Sequence, residues 1–378
     1  MNRLVVLGST GTIGEQCLAL VSAYPDRFKV IGMSCHSNIA KFKEQLTKYQ
    51  PKYAAVSSDN DISTLKKEFS NIVFFDGKGA LTDLVSVDEY DMAVVSIVGV
   101  AALLPTLKII QQGKDLAIAS KEVLVAAGHL VYEALAISKS ELYPIDSEHV
   151  AISLCLRGYE KKDIKKIIIT ASGGPFWNKD DLSKVTINDA LAHPNWSMGS
   201  KITIDSATMI NKGLEVIEAH WLFNVNYDKI KVLVHPQSIV HGMVEYVNGA
   251  LVSQLSMPDM SMPILYAIAG GEIADYNNND LELAGKSLDF MEPDLKKFRG
   301  LALAYEVGKQ GGSMPAVFNS ANEEAVSLFL AGKCSFLQIT ELVEKALAKH
   351  KRILAPTLDD ILQIDITSRE IVQELSNG

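Results

Sequence analysis

A chain of 378 residues exceeds what one growing core accommodates, so two or three domains are expected. With 48% hydrophobic and 21% charged residues it has the make-up of a soluble globular protein, and a formal net charge of -9 disfavours a general nucleic-acid partner. Cys17, Cys35, Cys155 and Cys334 lack CxxC spacing, which excludes a zinc module of that type and gives no disulfide framework.

The first element is the apolar run Arg3-Leu-Val-Val-Leu7, which suits a strand buried on both faces of a parallel sheet. Gly8, Gly11 and Gly14 follow, removing Cβ atoms where a strand turns sharply into a helix and leaving the first helical amides open to an anion. The spacing is GxxGxxG and no Gly-Lys-Ser/Thr closes a P-loop, so a dinucleotide pyrophosphate fits better than a nucleoside triphosphate. An ordinary strand, turn and helix with no ligand would carry the same glycines. Further strands are expected at 28–33, 53–56, 72–75, 91–97, 115–119 and 141–144, with helical stretches between most of them. The second strand, running into Met33-Ser-Cys-His-Ser-Asn38, offers no acid for a ribose hydroxyl pair. NADP is therefore favoured over NAD, with Ser34, His36, Ser37 and Asn38 as candidate contacts to the 2′-phosphate.

From residue 146 the pattern changes. In Glu141-Leu-Tyr-Pro-Ile-Asp-Ser-Glu-His149, an extended chain would put Asp146 and Glu148 on one face, where paired carboxylates suit Mg²⁺ or Mn²⁺; a solvated turn accounts for them equally well. Residues 165–170 read as a strand, followed by Ala-Ser-Gly-Gly-Pro-Phe176 and some thirty residues without clean periodicity. Ser172 and the glycine pair can present donors to a phosphate, while Trp196 and Met198 make 172–201 a candidate lid. His193 in that segment also reads as a loop cap. Asn211-Lys-Gly then precedes a helix over 213–222, with Glu215 in its first turn and Glu218 three residues on. Either glutamate can complete a three-carboxylate metal site, with Ser206, Asn211 and Lys212 as donors for an anionic substrate; Lys212 reads equally as a surface charge. Stretches 231–234, 239–247 and 251–255 resemble strands of a second, mixed or antiparallel sheet, with Asn248-Gly249 as a hairpin turn. The polar run at 276–280 reads as a loop, and helices are expected at 300–308, 320–331, 339–350 and 358–374. No GxSxG is present and Cys155 has no locally implied base, so serine or cysteine nucleophile chemistry is not supported.

The fold expected is α/β: a Rossmann-like parallel-sheet amino domain (1–145), an α+β catalytic domain (146–270), a linker (271–299) and a small helical carboxyl-terminal domain (300–378). A strand within three residues of the start leaves no room for a targeting segment, and no apolar stretch is long and unbroken enough to span a membrane. With the scattered cysteines, this points to the cytoplasm and to no membrane partner.

Taken in order, GSTGTIG, Ala119-Ser-Lys-Glu122, Pro144-Ile-Asp-Ser-Glu148, Ala171-Ser-Gly-Gly-Pro-Phe176, His193-Pro-Asn-Trp-Ser-Met-Gly199, Lys201-Ile-Thr-Ile-Asp-Ser-Ala-Thr208, Asn211-Lys-Gly-Leu-Glu215, His235-Pro-Gln-Ser238 and Met257-Pro-Asp-Met260 resemble the 1-deoxy-D-xylulose 5-phosphate reductoisomerases over essentially the whole chain. The resemblance implies a homodimer that converts 1-deoxy-D-xylulose 5-phosphate to 2-C-methyl-D-erythritol 4-phosphate in the non-mevalonate isoprenoid pathway, using NADPH and Mg²⁺ or Mn²⁺. It implies metal ligation by Asp146, Glu148 and Glu215, phosphate contacts from Ser172, Ser206, Asn211 and Lys212, and substrate contacts from Ser147, His193 and Trp196, the last as a flap cover. On the cofactor side it implies Gly8, Ser9, Thr10, Gly11, Thr12, Ile13, Gly32, Ser34, Ser37, Asn38, Ser120 and Gly199, with Lys121 and Glu122 on the cofactor and substrate sides of the reacting centre. One departure is Ser120, where many members of the family carry asparagine near the nicotinamide. A plain NADP-dependent dehydrogenase would share the amino domain but gives no reason for the three carboxylates, and an NADP-sensing regulatory protein would need neither them nor a lid.

Overall fold

The computed structural model describes residues 1–58, 62–196, 198–276 and 280–377. In chain order the elements are β1 (Asn2–Leu7), α1 (Thr12–Ala23), β2 (Phe28–Cys35), α2 (Ile39–Tyr49), β3 (Tyr53–Val56), α3 (Ser63–Glu68), β4 (Val73–Asp76), α4 (Ala80–Leu84), β5 (Met92–Val95), α5 (Leu103–Gln111), β6 (Asp115–Ile118), α6 (Lys121–Ala136) and β7 (Leu142–Pro144). They continue with α7 (Ser147–Cys155), β8 (Ile164–Ala171), α8 (Ile187–Leu191), α9 (Ser200–Ala207), α10 (Ile210–Phe223), β9 (Ile230–Val234), β10 (Val240–Tyr246), β11 (Leu251–Leu255), α11 (Ser261–Ile268), α12 (Arg299–Gln310), α13 (Met314–Leu330), α14 (Phe336–Lys349) and α15 (Leu358–Asn377).

Two compact units result. The first comprises Met1–Val123, Val131–Asp146 and Asp259–Asn277; the second comprises Leu124–Leu130, Ser147–Pro258 and Asn278–Gly378. This division differs from the sequence reading, which has three domains and a linker: α11 lies in the first unit, and the helices after 299 share one unit with the second sheet. The asparagine run read as a loop, 277–279, lies outside the described residues, as does Ser197 within the candidate lid.

In the first unit, seven parallel strands run in the order β4-β3-β2-β1-β5-β6-β7. Leu4, Val5, Val6 and Leu7 are all fully buried, as an unalternating apolar strand in a sheet covered on both faces requires. The order reverses between β1 and β5, which makes the carboxyl ends of those strands the crevice where such sheets take ligands. Helix α11 closes this unit: Ile264, Leu265, Ala267 and Ile268 join a core that contains Leu4, Leu18 and Val21, and the Asn2 side-chain amide donates to the Ile268 carbonyl at 3.1 Å.

The second unit holds a mixed sheet in the order β11-β10-β8-β9, with β8 and β9 parallel and the other pairs antiparallel. The expected hairpin is there: Gly249 takes a φ of 86° and Tyr246 N donates to Ala250 O at 2.9 Å. Ile167, Ile169, Val232 and Val244 of the sheet form one core with Ile152 of α7, Val216 and Ala219 of α10 and Leu301 of α12. Helices α14 and α15 pack on α13. Helix α13 begins six residues before the expected start, with Pro315 in its first turn, where the missing N–H has no cost.

Two local expectations are corrected. The chain is extended only to Pro144 and enters α7 at Ser147, so Asp146 and Glu148 do not share one face of a strand. Helix α10 starts at Ile210, which moves Glu215 from the first turn to the second and makes Asn211 and Lys212 helical.

Candidate functional site

In the first unit the glycine turn is built as its spacing requires. Gly8 has a φ of 82°, and a Cβ there would stand 2.4 Å from the Ser96 carbonyl oxygen; one at Gly14 would stand 2.3 Å from the Gly8 carbonyl oxygen. Gly11 precedes α1 without a side-chain cap, and Gly11 and Thr12 are exposed with Thr10 and Ile13 half-buried, so the amino end of α1 is open to an anion. Ser9 and Ser34 hold the turn instead of facing outward. Ser34 Oγ accepts from Gly8 N at 2.9 Å, and the buried Ser9 Oγ donates to Gln45 Oε1 at 2.7 Å. Gly32 is also buried, where a Cβ would meet Leu84 at 2.9 Å, so it serves packing. Ser37 and Asn38 are exposed after β2, Asn38 capping α2 through Lys41 N, and the His36 ring lies 3.1 Å from Ser57 Oγ.

Ser120 is buried at the start of α6. Its hydroxyl donates to the Ile97 carbonyl at 2.5 Å and accepts from Ile97 N at 3.0 Å, tying together the carboxyl ends of β5 and β6. The adjacent Lys121 is buried and pairs with Asp146 at 2.5 Å, and Glu122 is buried beside it. These side chains stand at the carboxyl side of the sheet, where the fold places its ligand crevice.

In the second unit α7 and α10 bring Glu148, Lys212 and Glu215 together. The Lys212 ammonium donates to Glu148 Oε1 at 2.7 Å and to Glu215 Oε2, and oxygens of the two carboxylates lie within 4.8 Å of each other. Burial would push the Glu148 carboxyl up, but the charge and hydrogen bond of Lys212, helped by His241 and by the Ser147 hydroxyl at 2.7 Å, hold it at about 2. Burial likewise pulls Lys212 down, and the two glutamates outweigh it and raise its pKa. The group is thus a buried, ionised cation between two carboxylates, which fits these donors to a hard divalent ion. Asn211 Nδ2 donates to Glu215 Oε1 at 2.5 Å. Glu218 pairs with His149: its carboxylate lies 3.3 Å from His149 Nδ1, while His149 Nε2 lies 3.0 Å from the Glu215 backbone carbonyl.

The phosphate candidates lie on neighbouring segments of the same unit. His193 Nδ1 accepts from Asn195 N at 3.2 Å and Trp196 N at 3.0 Å, which leaves the proton on Nε2, 3.0 Å from Ser172 Oγ. Ser172 Oγ also accepts from Gly174 N at 3.2 Å, so its own proton remains for an outside acceptor. Burial holds the His193 pKa below its ordinary value. Trp196 meets His241 edge-on with ring centroids 6.3 Å apart, and Asn195 Nδ2 donates to Pro236 O and Ser238 Oγ, anchoring this stretch on the His235–Ser238 loop. Ser206 is half-buried in α9, and Gly199 is that helix's N-cap, where a Cβ would meet no atom within 4 Å among the described residues other than its chain neighbours. Gly199 stands in the second unit, apart in the chain from the other cofactor candidates.

Sequence reasoning missed Gln45, His149 and Asn322. Gln45 grips Ser9, His149 joins α7 to α10, and Asn322 Nδ2 of α13 donates to the buried Asp205 carboxylate of α9 at 2.8 Å. Each is a polar residue on the apolar side of a helix, a pattern that marks an internal partner without naming it.

Comparison with known proteins places the chain in a family. Residues 4–128 match the family model described as 1-deoxy-D-xylulose 5-phosphate reductoisomerase, residues 142–223 that of its C-terminal domain, and residues 255–371 that of the DXP reductoisomerase C-terminal domain. A 1-deoxy-D-xylulose 5-phosphate reductoisomerase of Thermoanaerobacter pseudethanolicus is 46% identical over 376 residues, 98% of each chain. A crystal structure of DOX-P reductoisomerase in complex with NADPH, fosmidomycin and magnesium superposes with a TM-score of 0.93 at 34% identity, covering 100% of this chain and 98% of that one. The Zymomonas mobilis enzyme in complex with NADPH gives 0.92 at 37% identity, with 100% and 99% covered. This chain belongs to the 1-deoxy-D-xylulose 5-phosphate reductoisomerase family.

Proposed function

We propose that the chain isomerises and reduces 1-deoxy-D-xylulose 5-phosphate to 2-C-methyl-D-erythritol 4-phosphate with NADPH and a divalent metal, in non-mevalonate isoprenoid precursor synthesis. The observation that carries it is the Lys212 ammonium held between the carboxylates of Glu148 and Glu215, a grouping that a plain dehydrogenase or a cofactor sensor does not call for. Glu148 and Glu215, with Asp146 two residues earlier in the chain, are the proposed ligands of one Mg²⁺ or Mn²⁺ ion. NADPH supplies the hydride and the ion supplies Lewis acidity toward the ketone and its neighbouring hydroxyl.

The remaining work falls to the protein's own groups. Lys212 keeps a positive charge where oxyanion charge develops during the skeletal rearrangement. Ser172 donates its unclaimed proton to the substrate phosphate, joined by Ser206 and Asn211, while Ser147 and His193 flank the substrate. Trp196 covers the substrate and excludes water, strengthening each of these contacts. The main-chain amides of Thr10 to Ile13 take the cofactor pyrophosphate, His36 to Asn38 take its 2′-phosphate, and Lys121 and Glu122 orient the reacting end.

The functional division that goes with this reading is a cofactor domain over 1–145, a catalytic and dimerisation domain over 146–270, a linker over 271–299 and a helical domain over 300–378. A homodimer is proposed on strand β11, an edge of the second sheet with Leu251 and the nearby Val247 exposed. Four free cysteines support the cytoplasm as its site, and no helix among the described residues is long and apolar enough to cross a membrane. The test is to mix the protein with Mn²⁺, NADPH and the ketose phosphate, follow loss of reduced-cofactor absorbance and determine the product's carbon skeleton. An unbranched product would favour the plain dehydrogenase, and no cofactor consumption would favour the sensor.

A further inference from the structure

We propose that Gln45 is the positioning residue of the cofactor turn, an inference that rests on the reading of this turn as the NADPH pyrophosphate site. Gln45 lies in the middle of α2, 9% exposed, and meets Ser9 twice. Its Oε1 accepts from Ser9 Oγ at 2.7 Å, and its Nε2 donates to the Ser9 carbonyl at 2.8 Å. The amide orientation is fixed, because the reverse one would set its oxygen against the Ser9 carbonyl oxygen. Ser9 is held from the other side by Ser34, whose carbonyl accepts from Ser9 N at 2.8 Å and whose Oγ accepts from Gly8 N.

This grip falls where the backbone most needs it. Ser9 sits inside Gly8-Ser-Thr-Gly-Thr-Ile-Gly14, in which three glycines give the turn a large conformational entropy to lose. A turn that must present several amides to one pyrophosphate binds well only if they already point the same way. The Gln45 side chain fixes both the hydroxyl and the carbonyl of the residue just before those amides. It also ties the turn to the helix that Asn38 caps, so the pyrophosphate turn and the loop proposed for the 2′-phosphate are held by one element.

Gln45→Met keeps the length of the side chain and removes both hydrogen bonds. In the full-length cofactor-free variant, backbone amides of 10–13 should exchange faster than in wild type, and the NADPH dissociation constant measured by fluorescence titration should rise about tenfold. NADH should weaken by the same factor, since the pyrophosphate is common to both, while kcat at saturating NADPH and substrate stays within about twofold. Ser9→Ala removes the hydroxyl half of the grip together with the 3.1 Å contact of Ser9 Oγ to the Ser34 carbonyl, while the Gln45 bond to the Ser9 carbonyl stays; a rise of about threefold is expected, and it decides the matter if Gln45→Met does not fold. A folded Gln45→Met protein with a lowered melting temperature but unchanged NADPH affinity would show a merely structural residue and overturn the proposal. Unchanged affinity in Ser9→Ala, where that variant decides, would also overturn it. Failure of the wild-type protein to bind NADPH would instead remove the cofactor reading itself.

Discussion

The imidazole of His193 directs its Nε2 at Ser172 Oγ, 3.0 Å away, because its Nδ1 is already an acceptor for two backbone amides. Only the neutral ring satisfies all three contacts. Burial lowers the His193 pKa in the fold, so its contribution is complete above the ordinary value of 6.5 and is lost as pH falls through the lowered value. Acidification through that lowered value should therefore release the Asn195 and Trp196 amides and free this stretch. Amide chemical shifts and tryptophan fluorescence should titrate together there in wild type, and His193→Gln should abolish the shared transition.

Lys212 makes a prediction about metal and stability together. Lys212→Met removes the ammonium that joins the half-buried Glu148 carboxylate to the buried Glu215 carboxylate, which should cost about 3 kcal/mol in metal-free protein. Saturating Mg²⁺ or Mn²⁺ should restore more stability to the variant than it adds to wild type, while turnover stays lost. Thermal melts with and without metal check this. In metal-free wild type the Glu148 carboxyl is held at about 2, below its ordinary 4.5, so the stability it gives is present above 4.5 and declines as pH falls toward 2.

Glu215→Gln keeps the side-chain volume and removes one charge and one hard ligand. Turnover should fall by at least about a hundredfold, with NADPH affinity and the fold intact, because the cofactor turn lies in the other unit. Full activity in this variant, or undiminished turnover by metal-free wild type, would eliminate the proposed metal site.

The empty acid position after β2 predicts a cofactor preference. Titration with each reduced cofactor should give NADPH the lower dissociation constant by at least about tenfold, through the 2′-phosphate and the exposed His36 to Asn38 turn. Equal or tighter binding of NADH would reject the assignment.

The segment 172–201 is expected to respond to substrate. Ligand should slow backbone exchange there, and Trp196→Ala should raise KM for the ketose phosphate about tenfold or more while leaving NADPH affinity unchanged. Exchange that stays the same at saturation would count against a lid.

The middle of the parallel sheet was legible because its inner strands are buried on both faces, so runs such as Leu4–Leu7 and Met92–Val95 carry their assignment in composition alone. Helix α7 was not, because Ser147-Glu-His149 follows an extended stretch and its polar residues hide the helical face. Helix α9 was missed for a different reason: Thr203, Asp205 and Ser206 are poor helix formers, and its support comes from the Lys201–Asp205 ion pair and from Asn322, more than a hundred residues later. The candidate site residues were visible as types and spacings. Their roles were less so: the placement of Lys212 between two glutamates, and the pairing of Glu218 with His149, depend on how α7 meets α10, which neither helix's own periodicity encodes.

Helix α11 carries a consequence for synthesis. The first unit's core includes Ile264, Leu265, Ala267 and Ile268, yet its seven strands are complete by Pro144. A nascent chain must therefore hold a finished but incompletely covered sheet on the ribosome while more than a hundred further residues, the whole second sheet among them, are translated. A gene cut after Asp146 would yield a sheet with one flank of its hydrophobic core uncovered, a fragment that should aggregate unless residues 259–277 are supplied in trans.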